Sequence, residues 1–359
     1  MRFSTKSWYF IVAGLIALVL SFCLETGLFT IQRDRLVDIL FTNKKPPGRI
    51  ILIAINEESI RAIGQWPWPR AVTGSLINNL QKAAVIGIDV NFKEPSRLGK
   101  ADDAILEKAL ANSSVPVILS SDVQADGEII LPFASFINHG IPGFANLITA
   151  GDGVVRTIRL RRGDGSSFGL QIAQAYQDSV SGNPLIVLPT QPIRIEYFGP
   201  EGTYPVLSAQ EVLESKIPPE FFSNKIVLIG ATARDLQDYH ETPFGLTSGV
   251  EIQANIIDTI INQRFFKTRA TLDIGLVIFL TFLTIWLGAV IQRPIVFWAS
   301  IAALFVTYNL IVFLNFDSYF ILDLLYPNLA IGISTLGAFT IRYISTSKEK
   351  LFIQETFSR

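Results

Sequence analysis

Two apolar runs flank a helical segment in the stretch from Arg49 to Phe92, which reads RIILIAINEESIRAIGQWPWPRAVTGSLINNLQKAAVIGIDVNF. The runs, at residues 50–56 and 85–90, are rich in β-branched residues and bounded by turn residues, as expected for strands covered on both faces. Two such strands around a helix predict a βαβ unit of a parallel sheet. The polar residues that follow each run then lie at the carboxyl ends of strands, where open α/β sheets bind ligands.

The composition indicates a membrane protein. Hydrophobic residues make up 49% of the 359 residues and charged residues only 17%, an apolar balance for a wholly soluble chain. A formal net charge of -1 gives no electrostatic reason to expect a nucleic-acid partner. The only cysteine, Cys23, lies inside an apolar run, which excludes an internal disulfide, and two histidines exclude a His-rich metal site.

Four apolar segments are long enough to cross a bilayer. They are Trp8 to Leu24, Leu272 to Ile291, Ile295 to Leu314 and Leu324 to Tyr343. An uncleaved first span is favoured over a signal peptide, because no small-x-small cleavage site follows it. Small residues recur every four positions in the first span, at Ala13, Ala17 and Ser21, which either permit close helix approach or recur by chance. Mid-span Asn309 needs a partner, and an interhelical hydrogen bond is favoured over a transport role.

Basic residues in short loops and tails set the orientation. If all four spans are real, the basic residues outside the long central segment fall on one side of the membrane, which is therefore predicted to be cytoplasmic. These residues are Arg2, Lys6, Arg293, Arg342, Lys348 and Lys350. Arg33 to Arg269 then lies outside the cytoplasm. The predicted domains are a cytoplasmic N-terminus with the first span (1–29), an extracytoplasmic domain (30–269), three transmembrane helices (270–343) and a cytoplasmic linker helix (344–359).

The predicted fold class is an α/β extracytoplasmic domain with a largely parallel sheet, plus four transmembrane α-helices. A third strand is expected at Val115 to Leu119, where Pro116 moves it towards an edge. Residues 144–148 and 154–160 are expected to form a hairpin around Gly151-Asp152-Gly153. Further elements are helices at 102–110, 166–177, 208–213 (capped by Ser208) and 250–262, and strands at 193–198 and 226–229.

The string Gly64-Gln65-Trp66-Pro67-Trp68-Pro69-Arg70 is the first candidate for a site. The prolines restrict the backbone of both tryptophans, so the indoles and Arg70 can form the lip of a ligand pocket. Alternatively they cap the sheet, with Arg70 held by Asp89 or Glu57.

Asn56, Glu57 and Asp89 are candidates to bind a cation or a polar ligand, or are ordinary loop residues with local partners. The predicted ligand-binding set combines both groups: Asn56, Glu57, Trp66, Trp68, Arg70 and Asp89.

No catalytic residue, metal ligand or cofactor is predicted. Gly230-Ala231-Thr232-Ala233 follows a strand as a phosphate loop would, but lacks the Gly-Lys-Ser/Thr ending. The polar loop with Asp235, Asp238, His240 and Glu241 is more easily explained as solvated than as a metal site. No G-x-S-x-G motif occurs.

Several motifs, in order, resemble the second type of CHASE domain, an extracytoplasmic sensor found in bacterial signalling receptors. They are IAINE from Ile53, GQWPWPR from Gly64, IGIDVNF from Ile86, DGVVR from Asp152, KIVLIGATA from Lys225 and GVEIQANIID from Gly249. The resemblance covers roughly Arg33 to Arg269 and implies a sensor rather than an enzyme. Asn56 stands where the family usually has Asp.

The C-terminal segment 346–359 is charged and helix-prone, and it is similar to the linker that joins this sensor to a class III nucleotide cyclase domain. The expected function is a receptor of the bacterial inner membrane that senses an unknown small ligand or envelope cue and passes the signal to a cyclase or kinase output domain. The alternative is a membrane-anchored periplasmic enzyme or ligand-binding protein. A homodimer is expected, with Ala330, Ser334 and Ala338 as a close-packing face.

Overall fold

The computed structural model describes residues 5–124, 126–180 and 188–357. The chain divides into two compact units: Phe41–Phe265, and Met1–Leu40 together with Phe266–Arg359. The α-helices are α1 Thr5–Glu25, α2 Thr30–Asp38, α3 Glu57–Ile63, α4 Arg70–Asn79, α5 Lys100–Ala111, α6 Ala134–Ile137, α7 Phe168–Val180, α8 Ala209–Leu213, α9 Gly249–Ile261, α10 Ala270–Val290, α11 Pro294–Asp317 and α12 Leu325–Phe357.

The strands all belong to the unit Phe41–Phe265. They are β1 Ile50–Ile55, β2 Val85–Asp89, β3 Val117–Val123, β4 Ile129–Ile130, β5 Ile141–Phe144, β6 Ile148–Thr149, β7 Val155–Ile158, β8 Arg161–Arg162, β9 Gly165–Ser166, β10 Ile193–Arg194, β11 Val206–Ser208, β12 Ile226–Ala231, β13 Tyr239–Thr242 and β14 Gly245–Ser248.

The main sheet has the order β11-β1-β12-β2-β3, and β4 and β5 both pair with β3. Every pairing is parallel except that of β3 with β4, which confirms the predicted α/β class. β12 lies between β1 and β2, with Ile53 opposite Ile229 and Ile229 opposite Ile88. The two strands of the predicted βαβ unit are therefore parallel but are not neighbours.

Alternate residues of these strands supply two separate cores. Ile50, Leu52 and Leu228 pack with α7 and α9 on one face, while Ile51 and Ile53 pack with α4, α5 and α8 on the other. The sheet is thus covered on both faces, as continuous apolar strands require.

The expectation that Pro116 moves β3 towards an edge of the sheet was wrong. Pro116 precedes the strand, so its missing backbone N–H leaves no gap in the hydrogen bonding of β3, and its carbonyl oxygen accepts the N–H of Ile86 at 3.0 Å. β3 itself lies between β2 and β5 in the sheet. The expected hairpin is present in shorter form, as β6 paired antiparallel with β7, and Ser208 caps α8 in a capping box with Glu211, as predicted.

Two of the sequence motifs have structural roles in this unit. In the DGVVR motif, Arg156 makes a bidentate ion pair with Asp152 at 2.7 and 2.9 Å, and both side chains are buried. In the GVEIQANIID motif, α9 is buried along its whole length. Its Glu251 accepts the N–H groups of Gly202 and Thr203, each at 2.9 Å, and Asn255 accepts that of Phe198 at 3.0 Å. Both motifs therefore tie loops to the core.

Among its described residues, the second unit contains four helices with the length and hydropathy to cross a membrane: Ser7–Glu25, Ala270–Val290, Pro294–Asp317 and Leu325–Ser347. These agree with the predicted spans. The juxtamembrane helix α2 was not predicted. The Asn309 amide exchanges hydrogen bonds with Asn328 at 3.0 and 3.1 Å, which confirms the expected interhelical bond.

The small residues predicted as close-packing positions in α1 and α12 pack within the chain's own helix bundle. Ala13 lies in one cluster with Ile285 and Ala338, and Ala330 packs against Leu20 and Val277. Ser334 is also fully buried. The predicted close-packing face of α12 is therefore occupied by α1 and α10 and is not available to a second copy. Small residues allow close contact within a chain and between chains equally, so the sequence pattern does not distinguish the two cases.

A buried polar cluster joins α2, α11 and α12. The side chain of Asp323 is only 1% exposed; it accepts the N–H of Tyr326 at 2.7 Å and pairs with Arg33. The Tyr308 hydroxyl donates to the Asp323 backbone carbonyl, and Asp273 of α10 accepts the Asp323 N–H at 3.1 Å. This arrangement fixes the start of α12 relative to its neighbours.

Candidate ligand site

The tryptophan–proline string forms a rigid corner between α3 and α4. The Trp66–Pro67 peptide is cis, and the two indoles meet edge to face with ring centroids 5.2 Å apart. The Trp68 Nε1–H donates to the Gly64 carbonyl at 2.8 Å, and the Trp68 ring is buried. The sequence predicted defined indole directions, and this bonding provides them.

Arg70 is held by groups other than the predicted Asp89 and Glu57. Its guanidinium lies 4.6 Å from the Phe92 ring centroid, donates to the Glu94 carbonyl at 2.9 Å and approaches Asp103, with Nε 3.6 Å from Oδ1. The expectation that Asp89 or Glu57 holds Arg70 was wrong. The actual acidic partner comes from α5, which lies about thirty residues further along the chain.

Asp102, the neighbour of that partner, caps the start of α4. Its carboxylate accepts the backbone N–H groups of Arg70 at 2.9 Å and Ala71 at 3.3 Å, together with the Ser96 hydroxyl at 2.6 Å. Burial acts to raise the pKa of Asp102, but these hydrogen bonds and the charge of Arg70 hold it below the ordinary value. The Asp102 carboxylate therefore places a negative charge at the N-terminus of α4, behind Arg70.

An open groove of about 590 Å³ lies in front of this corner, lined by residues 67–70, 91 and 93–98. Trp68 and Arg70 are the two predicted site residues that line it. Among the described lining residues, Lys93 and Arg97 add two cations, against one acidic side chain, Glu94. The lining therefore combines an aromatic wall with net positive charge, which suits a small polar or anionic ligand.

The remaining predicted residues have other surroundings. The Asn56 side chain caps α3, accepting the Ser59 N–H at 2.9 Å and its hydroxyl at 2.8 Å. Glu57 accepts the N–H of Arg234 at 3.0 Å, and this bond holds the pKa of Glu57 below the ordinary value. Neither residue lines the groove.

Asp89 ends β2 in an acidic environment. Burial raises the pKa of its carboxyl to about 8, and the charges of Asp238 and Asp122 contribute. The loop that follows β12 carries both Arg234, the partner of Glu57, and Asp238, the neighbour of Asp89. Because β12 separates β1 from β2, this loop separates the predicted residues that were expected to converge.

The loop after β12 does not present a phosphate-binding backbone. The N–H groups of Thr232 and Ala233 both donate to the Ile55 carbonyl, at 3.1 and 3.0 Å. Gly230 instead allows α9 to approach, because a Cβ on it would lie 2.6 Å from Val250 Cβ. Within residues 5–124, 126–180 and 188–357, no group of three or more His, Cys, Asp or Glu side chains is placed to hold a metal ion.

The fold defines an α/β domain whose chain continues into membrane-spanning helices at both ends. The family model of the CHASE2 domain matches residues 12–300, which is more than half of the chain, so the chain belongs to the CHASE2 family. This match confirms the resemblance that the motifs indicated and extends beyond it, into the first span on one side and through the second span into the third on the other. No curated protein and no solved structure matches the chain. With its four apolar helices, the chain is a membrane sensor protein of signal transduction.

Proposed function

We propose that the chain is the sensing and membrane part of a bacterial inner-membrane receptor. The α/β unit lies outside the cytoplasm and binds a small cue in the groove at Trp68 and Arg70. The signal passes through the spans, in a homodimer, to a cytoplasmic class III nucleotide cyclase domain. Asn56, Glu57, Trp66 and Asp89 remain predicted contributors to cue binding.

The observation that carries this proposal is the continuity of α12. The helix runs from Leu325 to Phe357, 33 residues, or about 50 Å at 1.5 Å per residue. A bilayer core is only about 30 Å thick, so the helix extends well past the span at Leu325–Ser347. A helix without a break transmits a rotation or shift, whereas a flexible linker absorbs it.

The dimer surface cannot be the Ala330 face, which is already packed. The exposed face of α12 carries Leu336 and Tyr343, whose exposed fractions are 66% and 68%. Large apolar side chains suit lipid contact or a second copy equally, so a Leu336→Cys variant in a Cys23→Ser background tests the homodimer by crosslinking.

The topology is tested by cysteine labelling in the Cys23→Ser background. Glu220→Cys lies at an exposed position of the α/β unit, and Arg293→Cys lies in the exposed loop between α10 and α11. We expect a membrane-impermeant maleimide to label Glu220→Cys in intact spheroplasts and Arg293→Cys only after lysis. Labelling of Arg293→Cys alone in intact spheroplasts would reverse the proposed orientation.

The groove is tested by fusing the chain to a class III cyclase domain and measuring cyclic nucleotide in cells. Arg97→Glu reverses an exposed charge in the groove lining, and we expect cyclase output to change about fivefold or more, within the usual range of coupling. Lys82→Glu, an exposed charge reversal outside the lining, is the matched control.

A Gly-Gly insertion after Tyr343 is the second arm of that experiment. The insertion should abolish the difference in cyclase output between Arg97→Glu and the parent fusion, because the two flexible glycines interrupt α12. Equal output from Arg97→Glu and Lys82→Glu argues against the groove, while a difference that survives the insertion argues against α12 as the route.

A further inference from the structure

A cavity of about 550 Å³ opens between α1, α10 and α12 in the membrane-spanning unit. It lies at the end of the bundle where α1 begins and α10 ends. Since the helices around it are long and apolar enough to cross a membrane, the molecules that surround this opening are lipids.

One end of the cavity is polar. Tyr9, Gln292, Arg342, Ser345 and Thr346 line it, and they come from the first turns of α1, the loop after α10 and the later part of α12. These positions correspond to the headgroup level of a bilayer, where amphipathic side chains concentrate.

The other end is apolar. Ala13, Phe282, Ile285, Trp286 and Ala289 line it. Phe282 lies eight residues before Val290, the last residue of α10, so the apolar wall extends about 12 Å into the bundle at 1.5 Å per residue. The cavity thus has the polar-to-apolar order of a phospholipid.

Among the side chains that the structure describes, Arg342 is the one charged group in the lining. Its Nη1 donates to the Ile291 carbonyl at 3.3 Å and its Nη2 to the Gln292 carbonyl. These carbonyls are left without helical partners where α10 ends, so they fix the guanidinium in place. A guanidinium has five N–H donors in a planar fork, and the remaining donors can bind a phosphate.

A second, apolar cavity of about 150 Å³ shares Arg342 and is lined also by Gly288, Phe297 and Phe339. Apolar surface therefore lies on two sides of the same cation. No carboxylate among the described side chains lines either cavity, so the described charge at this end complements an anion.

We propose that the cavity between α1, α10 and α12 binds one anionic phospholipid, with its phosphate on Arg342 and an acyl chain along the apolar wall. This site is separate from the groove of the α/β unit and does not depend on the proposed cue or output.

The test uses the full chain in detergent, titrated with phosphatidylglycerol or phosphatidylcholine and analysed by native mass spectrometry. We expect one phosphatidylglycerol to bind more tightly than phosphatidylcholine. Arg342→Gln should weaken phosphatidylglycerol binding about fivefold or more, because it removes the charge-assisted hydrogen bonds to the phosphate. Arg293→Gln removes a charge from the neighbouring exposed loop and should leave binding unchanged.

Arg342→Gln also removes the contacts that finish α10, so a second variant is needed in case it fails to fold. Ala289→Phe keeps Arg342 and its carbonyl bonds but fills the apolar wall, and it too should weaken phosphatidylglycerol binding. Unchanged binding by Ala289→Phe, equal losses in Arg342→Gln and Arg293→Gln, or full competition by inorganic phosphate would each overturn the proposal.

Discussion

Asp89→Asn is expected to stabilise the protein at neutral pH by about 1–3 kcal/mol. In the folded chain, burial and the nearby Asp238 and Asp122 raise the pKa of Asp89 to about 8, whereas an unfolded Asp titrates near 3.9. Folding therefore becomes less favourable as the pH rises from about 4 to 8, because the native state holds a proton that the unfolded state has lost. The whole pKa difference between the folded and unfolded states would destabilise the wild-type fold by about 4 kcal/mol at pH 7. We expect a smaller effect because the Asp89 side chain keeps some solvent exposure.

The stabilisation is measured by urea unfolding of the full chain in detergent, followed by tryptophan fluorescence between pH 5 and 8. The gain over wild type should increase across that range, because asparagine does not titrate. Asp235→Asn, at an exposed position of the loop after β12, is the control and should change stability by less than about 0.5 kcal/mol. A gain that is the same at pH 5 and pH 8 would contradict the charge explanation.

Asp323→Ala is expected to destabilise the membrane-spanning unit by about 2–4 kcal/mol. The substitution removes the partner of Arg33 and the acceptor for the Tyr326 N–H, so it loses an ion pair and the cap of α12 together. Loss of a helix cap alone costs about 1 kcal/mol. The Arg33 side chain is 28% exposed, so water reduces the penalty for leaving it unpaired.

Hydrogen exchange of the full chain in detergent gives a local measurement. Peptides from α2 and the start of α12 should exchange roughly thirtyfold faster or more in Asp323→Ala, as the lost free energy implies. Asp323→Asn, which keeps an acceptor without the charge, should have a smaller effect. Glu25→Ala, an exposed acid near the same end of the bundle, should leave both peptides unchanged; an equal effect there would show that bulk charge, not this cluster, matters.

Much of the fold follows from local patterns. The spans, the doubly covered strands and the capping box at Ser208 are each determined by residues close together in sequence. The amide at Asn309 required a partner because the apolar bundle offers no water, and Asn328 is that partner. Such requirements can be predicted without knowing the topology.

The arrangement of the candidate site could not be predicted in the same way. Strand order placed β12, about 140 residues downstream, between β1 and β2, and its loop separates Glu57 from Asp89. Arg70 pairs with Asp103 on α5, and several acidic residues were equally plausible partners by sequence. The small-residue face at Ala330 fits an internal or an external helix, and only packing distinguishes them.

The position of β12 also has a consequence for biogenesis. β1 and β2 flank the strand that is synthesised more than 130 residues after them, so each keeps an open edge until residue 231 has emerged. Sequence-distant pairing of this kind slows folding, and unpaired edges of apolar strands invite association with other chains. Nascent chains that stop before β12 should therefore be the most aggregation-prone species of this protein, and they are the stage at which it most needs a chaperone.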